Sequence, residues 1–423
     1  MKMASNKRWL LPVVMAGLAF GNSFLAVASQ EGKRPSPSAV EVRVHVSSQG
    51  RFVDDLTLSD FSILEDGKTR PLGSLALVKD GRVERQEGPV IIPARRTRSY
   101  TLLFQMVDWD PNLAGAIDHL FGSIIKPGDS LALITPFKPY HLQSGALAER
   151  SKEELSKSMK DVLRKDILRG SGEYRDLIGD LKRLTGAIGG SASNFHDDME
   201  TDVTTESDSG VGLENQIDRY RQALMKLDGI RLVDEPKLLA FAAALKPVPG
   251  QKTVILFYQQ EFRPEISPAT MNRMMSLYQD NPDILGNLMD LFQFYKREKT
   301  FDADKVKKAF ADAGIDFHFI FLEKKTQRIF GATMHEQSED TFPGFVDIAR
   351  ATGGTSGVSK NPFAAFKHAT DASADYYLLS YAPEGAPAGG GFRKVDVQVK
   401  RSGCKIASPL GYYPKSPGPA PAF

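Results

Sequence analysis

Cysteine is almost missing from this chain of 423 residues: Cys404 stands alone. One thiol excludes an intrachain disulfide framework, a thiolate-held iron–sulfur cluster and a Cys-rich zinc site. Histidine is sparse and dispersed, at 45, 119, 141, 196, 318, 335 and 368. A net charge of either sign is also lacking. Lys and Arg total 54 against 52 Asp and Glu, and Lys2, Lys7 and Arg8 lie in the first 28 residues with no acid beside them. The remainder is close to neutral and has no electrostatic footprint for nucleic acid. After residue 28 no apolar run reaches the roughly 18 residues a membrane-spanning helix needs. There is no G-x-S-x-G elbow, P-loop or G-x-G-x-x-G fingerprint. Gly353-Gly354-Thr355-Ser356-Gly357 follows a predicted short helix rather than a strand and reads as a loop. His335-Glu336 meets Glu339 where an H-E-x-x-H site needs a second His. His318, between Phe317 and Phe319, reads as a strand residue, and Cys404 as a small residue of the β tail. No catalytic set is predicted, and the chain is read as a non-enzyme.

What the chain does have is ordinary globular composition, 41% hydrophobic and 25% charged, with length for two to three domains. Residues 1–28 have a basic start, an apolar stretch from Leu10 to Phe20 and Ala26-Val27-Ala28 before the expected cut. This predicts a signal peptide and a periplasmic or secreted protein with no membrane span after cleavage. Residues 29–39 read as a flexible linker. In 40–97, Val42, Val44 and Val46 alternate with polar residues, and Asp66-Gly67 supplies hairpin turn chemistry, which predicts a small β segment.

At Ser99 the pattern changes. Tyr100–Val107 is a nearly continuous apolar run, as in a strand covered on both faces. Leu113, Ala116, Ile117, Leu120, Phe121 and Ile124 follow at helical spacing, and a strand is predicted over 131–137 after Pro127-Gly128. Ser151 and Glu154 form a capping box that opens a helix to about residue 168. Helical periods recur over 173–187, 213–228, 236–246 and 302–313, with buried strands over 253–258 and 315–322. The fold class is therefore α/β over 98–373, with β segments before it and after it at 374–413. Neither β segment alone supplies enough strands for a stable core, so the two are expected to form one small domain. Within 98–373, residues 189–212 read as an acidic loop and 261–300 as a helical insertion broken at Asn281-Pro282. Residues 414–423 are a Pro-rich tail.

Several segments carry a family resemblance. Asp60-Phe61-Ser62-Ile63-Leu64-Glu65-Asp66-Gly67-Lys68, Tyr100-Thr101-Leu102-Leu103-Phe104, Lys126-Pro127-Gly128-Asp129-Ser130-Leu131-Ala132-Leu133, Tyr376-Tyr377-Leu378-Leu379-Ser380-Tyr381-Ala382-Pro383 and Gly411-Tyr412-Tyr413 occur in the order expected of one family. Over about 40–413 the chain resembles bacterial exported proteins with a von Willebrand factor type A (VWFA)-related domain. The resemblance implies a doubly wound, mostly parallel sheet flanked by helices. It also implies a metal-ion-dependent adhesion site at the carboxyl ends of the strands, built from an Asp-x-Ser-x-Ser loop, a Thr and a later Asp.

This sequence departs from that ligand set. Gln105-Met106-Val107-Asp108-Trp109 replaces the first loop, Ser171 stands for the Thr, and Gln259-Gln260-Glu261 follows the fourth strand without an Asp. The metal site is therefore expected to be degenerate, with no cofactor; neither Mg²⁺ nor Ca²⁺ is expected. Were a metal held in a shifted register, Asp108 and Asp110, with Ser171, would be its ligands. The alternative for Asp108-x-Asp110-x-Asn112 is a helix start.

The predicted role is partner binding to an unidentified protein in the envelope or outside the cell. Its candidate contacts are Trp109, Asp108, Asp110, Gln259, Gln260, Met274 and Met275. The competing reading is a metal-dependent envelope enzyme, or a subunit of one, using His196 and the acidic residues of 196–208.

Overall fold

The computed structural model describes residues 39–142, 149–194, 206–231, 233–296, 301–326, 329, 331–383 and 391–414. The expected signal peptide, nearly all of the linker, the acidic stretch 195–205 and the tail beyond 414 lie outside the described residues.

The α/β part is built on a six-stranded sheet. Its strands run in the order Ser356–Ser359, Ile315–Leu322, Gln251–Gln259, Arg98–Gln105, Ser130–Ile134, Pro139–Leu142. Neighbours are parallel except the last pair, an antiparallel hairpin. Gln251–Gln259 and Ile315–Leu322 are buried along their whole length. Their apolar centres, residues 254–258 and 319–322, follow from cover on both faces.

Alternation along the strands sends side chains to two separate cores. Leu102, Phe104, Ile255 and Phe257 meet the helices Leu113–His119, Lys152–Gly170 and Pro362–Ala374. Leu103, Val254, Leu256 and Phe317 meet Glu235–Leu245, Ala303–Asp312 and Phe342–Ala351. Ser151 caps the long helix as its sequence suggests: its Oγ accepts the Glu154 N–H at 3.1 Å, and the Glu154 carboxylate accepts the Ser151 N–H at 3.4 Å. A third core joins Gly172–Asn194, Glu206–Arg231, Pro268–Leu277 and Pro282–Tyr295 beyond the carboxyl ends of the strands.

The chain ends interleave in the β part. Val40–Ser48 pairs antiparallel with Asp375–Tyr381, which also pairs with Leu72–Lys79. Phe61–Glu65 pairs with Arg393–Val399. Val44, Ile63, Leu75, Tyr377, Leu379 and Val395 close one core between the two sheets. Asp66 and Gly67 both have positive φ, as a two-residue hairpin turn requires. Across the junction with the α/β part, Arg43 pairs with Asp316, which also lies 3.1 Å from His318 Nε2.

Three elements differ from the sequence reading. The acidic loop expected over 189–212 is helical where it is described, because Gly172–Asn194 runs into it and Glu206–Arg231 begins within it. The strand expected over 131–137 is a hairpin, because Thr135 Oγ1 accepts the N–H groups of Phe137 and Lys138 at 3.2 and 3.0 Å and turns the chain. The segment 261–300 is not wholly helical: Phe262–Ile266 forms a two-stranded antiparallel ribbon with Ala332–Glu336 before the helical pair begins. Among the described residues, no helix is long and apolar enough to cross a membrane.

Candidate functional site

The loops after Arg98–Gln105 and Gln251–Gln259 leave adjacent parallel strands at the same edge of the sheet, so their side chains converge there. The first loop dives inward. Met106 is fully buried in one helix-covered core and Val107 in the helical core beyond the strands. Trp109 is half-buried and packs against the same core as Met106. The apolar side chains of Val107 and Trp109 are thus used for packing.

Gln259, 7% exposed, closes this loop. Its side-chain oxygen accepts the N–H of Val107 at 3.0 Å and of Asp108 at 2.9 Å. One amide oxygen thereby satisfies two backbone donors that the inward turn leaves without strand partners. Ser171 is fully buried between the two long helices, with its Oγ 2.8 Å from the Val107 carbonyl and 2.6 Å from the Ile167 carbonyl. Its one proton is spent on tying the loop to the helix end.

The carboxylates around the loop are engaged from within the chain. Asp108 forms an ion pair with Lys324, and the Lys324 N–H donates to Gln260 Oε1 at 2.9 Å. Gln260 Nε2 donates to Glu336 at 2.5 Å, and Ser338 Oγ donates to the other Glu336 oxygen at 3.1 Å. Asp110 Oδ1 accepts the Asn112 N–H at 2.8 Å, so of this triplet Asp110 serves the helix start, while Asn112 makes no side-chain cap.

Deeper, Glu261 meets Arg231 at 2.9 Å with both side chains buried, and Arg231 also donates to the Gln337 carbonyl at 2.6 Å. Burial opposes the charge on Arg231, but Glu261 more than offsets it and holds the guanidinium pKa above its ordinary value. Beside the pair, burial and then the Glu261 charge push the Tyr174 hydroxyl well up, so it stays protonated.

The other sequence candidates lie elsewhere. Met274 is fully buried and Met275 half-buried, both in the core of the helical insertion, which removes the Met274 sulfur from any partner-facing surface. His318 is buried: its Nδ1 accepts the Thr355 N–H at 3.1 Å and its Nε2 lies 2.6 Å from Ser373 Oγ, a packing role in the strand. His335 sits in the ribbon strand. Gly354 lies so close to the neighbouring strand that a Cβ there would sit 1.9 Å from the Phe317 carbonyl oxygen, so this turn serves close packing. His196, Asp198, Glu200 and Asp202 lie outside the described residues. Among the described residues, no group of three His, Cys, Asp or Glu side chains could hold a metal ion.

Sequence reasoning missed Lys324, Glu336 and Arg231. Each acts on a residue at least 30 positions away, and a Lys-Lys pair after a strand reads as solvated charge.

No family model matches the chain, and no curated protein matches it. Among solved structures, the human COPII-coat protein Sec24c aligns over 76% of this chain and 45% of its own, at 8% identity and a TM-score of 0.25. That score is below the level of a shared fold.

Proposed function

We propose that this chain is an exported, non-enzymatic protein-interaction protein with a VWFA-related domain, in which internal contacts have taken over the metal position. The observation that carries this reading is the Gln259 oxygen on the Val107 and Asp108 N–H groups, at the point where the family places an acidic ligand. Lys324 adds a resident cation on Asp108, the acid best placed to receive a metal.

The strand order supports the doubly wound part of the reading. Counted along the chain within this sheet, it is third, second, first, fourth, fifth, sixth. Sheets of this order bind ligands outside the carboxyl ends of the strands where the order reverses. Here that point lies between Arg98–Gln105 and Gln251–Gln259. Trp109, Asp110 and Gln260 border it and remain partly accessible. On the neighbouring insertion, Met289 and Phe292 are 53% and 48% exposed one helical turn apart, an apolar contact surface. Export rests on the pattern of residues 1–28.

The test is capture of partners from envelope extract by the mature protein, with and without chelator. Capture that survives chelator and weakens in Trp109→Ala supports the reading. Capture abolished by chelator, or a chelator-sensitive hydrolytic activity, contradicts it.

A further inference from the structure

A second site lies at the opposite end of the parallel strands, where Val40–Ser48 of the β part crosses the amino-terminal ends of Gln251–Gln259 and Ile315–Leu322. A cavity of about 300 Å³ opens there, walled by both parts of the chain. That volume is at the lower end of small-molecule sites, which favour domain junctions.

Three cations reach this wall: Arg43, Arg96 and Lys252. Its acids are already engaged. Glu41 takes Arg96 at 3.0 Å, and Asp312 takes Lys246 at 2.6 Å and the Tyr413 N–H at 2.8 Å. Arg43 uses one arm of its guanidinium on Asp316. Lys252 differs from the others. Only 8% exposed, its ammonium donates to the Val248 carbonyl at 2.9 Å and has no carboxylate partner among the described residues. Arg43 Nη1 and Arg96 Nε are buried without a hydrogen bond of their own, while the other nitrogens of the two guanidinium groups hold Asp316 and Glu41. Buried charges are ordinarily paired, so Lys252, the one cation of this wall without a carboxylate partner among the described residues, with two arginines beside it, calls for an acceptor that is itself negative.

We infer that this cavity binds a small oxyanion, a phosphate or a carboxylate-bearing molecule, held by Lys252 with Arg96 and Arg43. The ligand touches strands of both parts and therefore braces their junction. The argument is independent of the Gln259 site, at the other end of the same strand.

The mature protein is titrated calorimetrically with inorganic phosphate and, separately, with succinate, in chloride at matched ionic strength. Saturable binding of either supports the site, and the arm that binds identifies its chemistry. Lys252→Met and Arg96→Gln should each weaken that binding by about tenfold or more, the loss expected for a charge-assisted contact. Arg96→Gln carries the comparison if Lys252→Met does not fold. Absence of saturable binding in both arms, or equal affinity in a folded variant, overturns the proposal.

Discussion

Lys324 places its ammonium on the carboxylate of Asp108, across 216 residues of sequence. The same residue's N–H holds Gln260, so one lysine fixes both loops at the carboxyl edge of the sheet. Both members of the ion pair remain more than a third exposed, so its Coulombic contribution is screened and small. Its consequence is occupancy: an incoming divalent ion would have to displace a tethered cation and find oxygens that already hold N–H groups.

Gln259 should matter for stability. Replacing it with Leu leaves the buried Val107 N–H and the half-buried Asp108 N–H without their acceptor. A loss of about 1–3 kcal/mol is expected for an orphaned buried donor. Urea unfolding checks this, and Gln259→Glu, which keeps an acceptor, should lose less than Gln259→Leu. An unchanged Gln259→Leu midpoint would show that the loop does not need the amide.

The Arg231–Glu261 pair offers a sharper contrast. Both side chains are buried, at 3% and 2% exposure. Arg231→Met strands a buried carboxylate and should destabilise by about 3–5 kcal/mol. Adding Glu261→Gln to Arg231→Met removes that charge and should recover part of the loss. A double variant no more stable than the single one would mean that packing, and not charge, dominates at Arg231.

Legibility from sequence differed sharply between scaffold and site. The buried run Tyr100–Val107 announced a central strand, and Ser151 with Glu154 announced a helix start, because both signals are local. The ribbon Phe262–Ile266 was hidden: Phe262 and Ile266 do alternate with Arg263 and Glu265, but Pro264 at the centre argues against a strand, and its partner lies past 60 intervening residues. At the candidate site, Gln259-Gln260-Glu261 with no Asp after the strand could be read directly. The role of Gln259 could not, since it acts on a loop 152 residues upstream. Met271 and Met274 followed helical spacing, yet only packing decides which methionines face solvent; these two are buried and Met289 is exposed.

Lys252 should impose a pH signature. Burial first, and then Arg96, lowers its pKa to about 8 from 10.5. Between those values the unfolded chain binds the proton more strongly than the folded one, so this residue makes stability rise with pH across the window. The groups facing it across the cavity are Glu41, Arg43, Arg96, Asp312, Tyr376 and Tyr412. Tyr376 and Tyr412 are both shifted upward from 10, chiefly by burial, so they act in the opposite sense, lowering stability as pH rises past 10, and they do so equally in wild type and Lys252→Met. From pH 8 upward, the urea midpoint of the wild type should gain relative to that of Lys252→Met as pH rises towards 10. Identical slopes would contradict the buried, unmatched ammonium.

The claim that internal contacts replace the metal is tested most directly by titrating Mg²⁺, Ca²⁺ and Mn²⁺ into the mature protein while following Trp109 emission and the thermal midpoint. Trp9 belongs to the expected signal peptide, so Trp109 is then the lone tryptophan and reports from the loop itself. A ligand that does not bind the native state cannot stabilise it. The account predicts no saturable change in either signal at millimolar metal. A saturable change in both, lost in Asp108→Asn, would contradict it and restore Asp108 as a metal ligand.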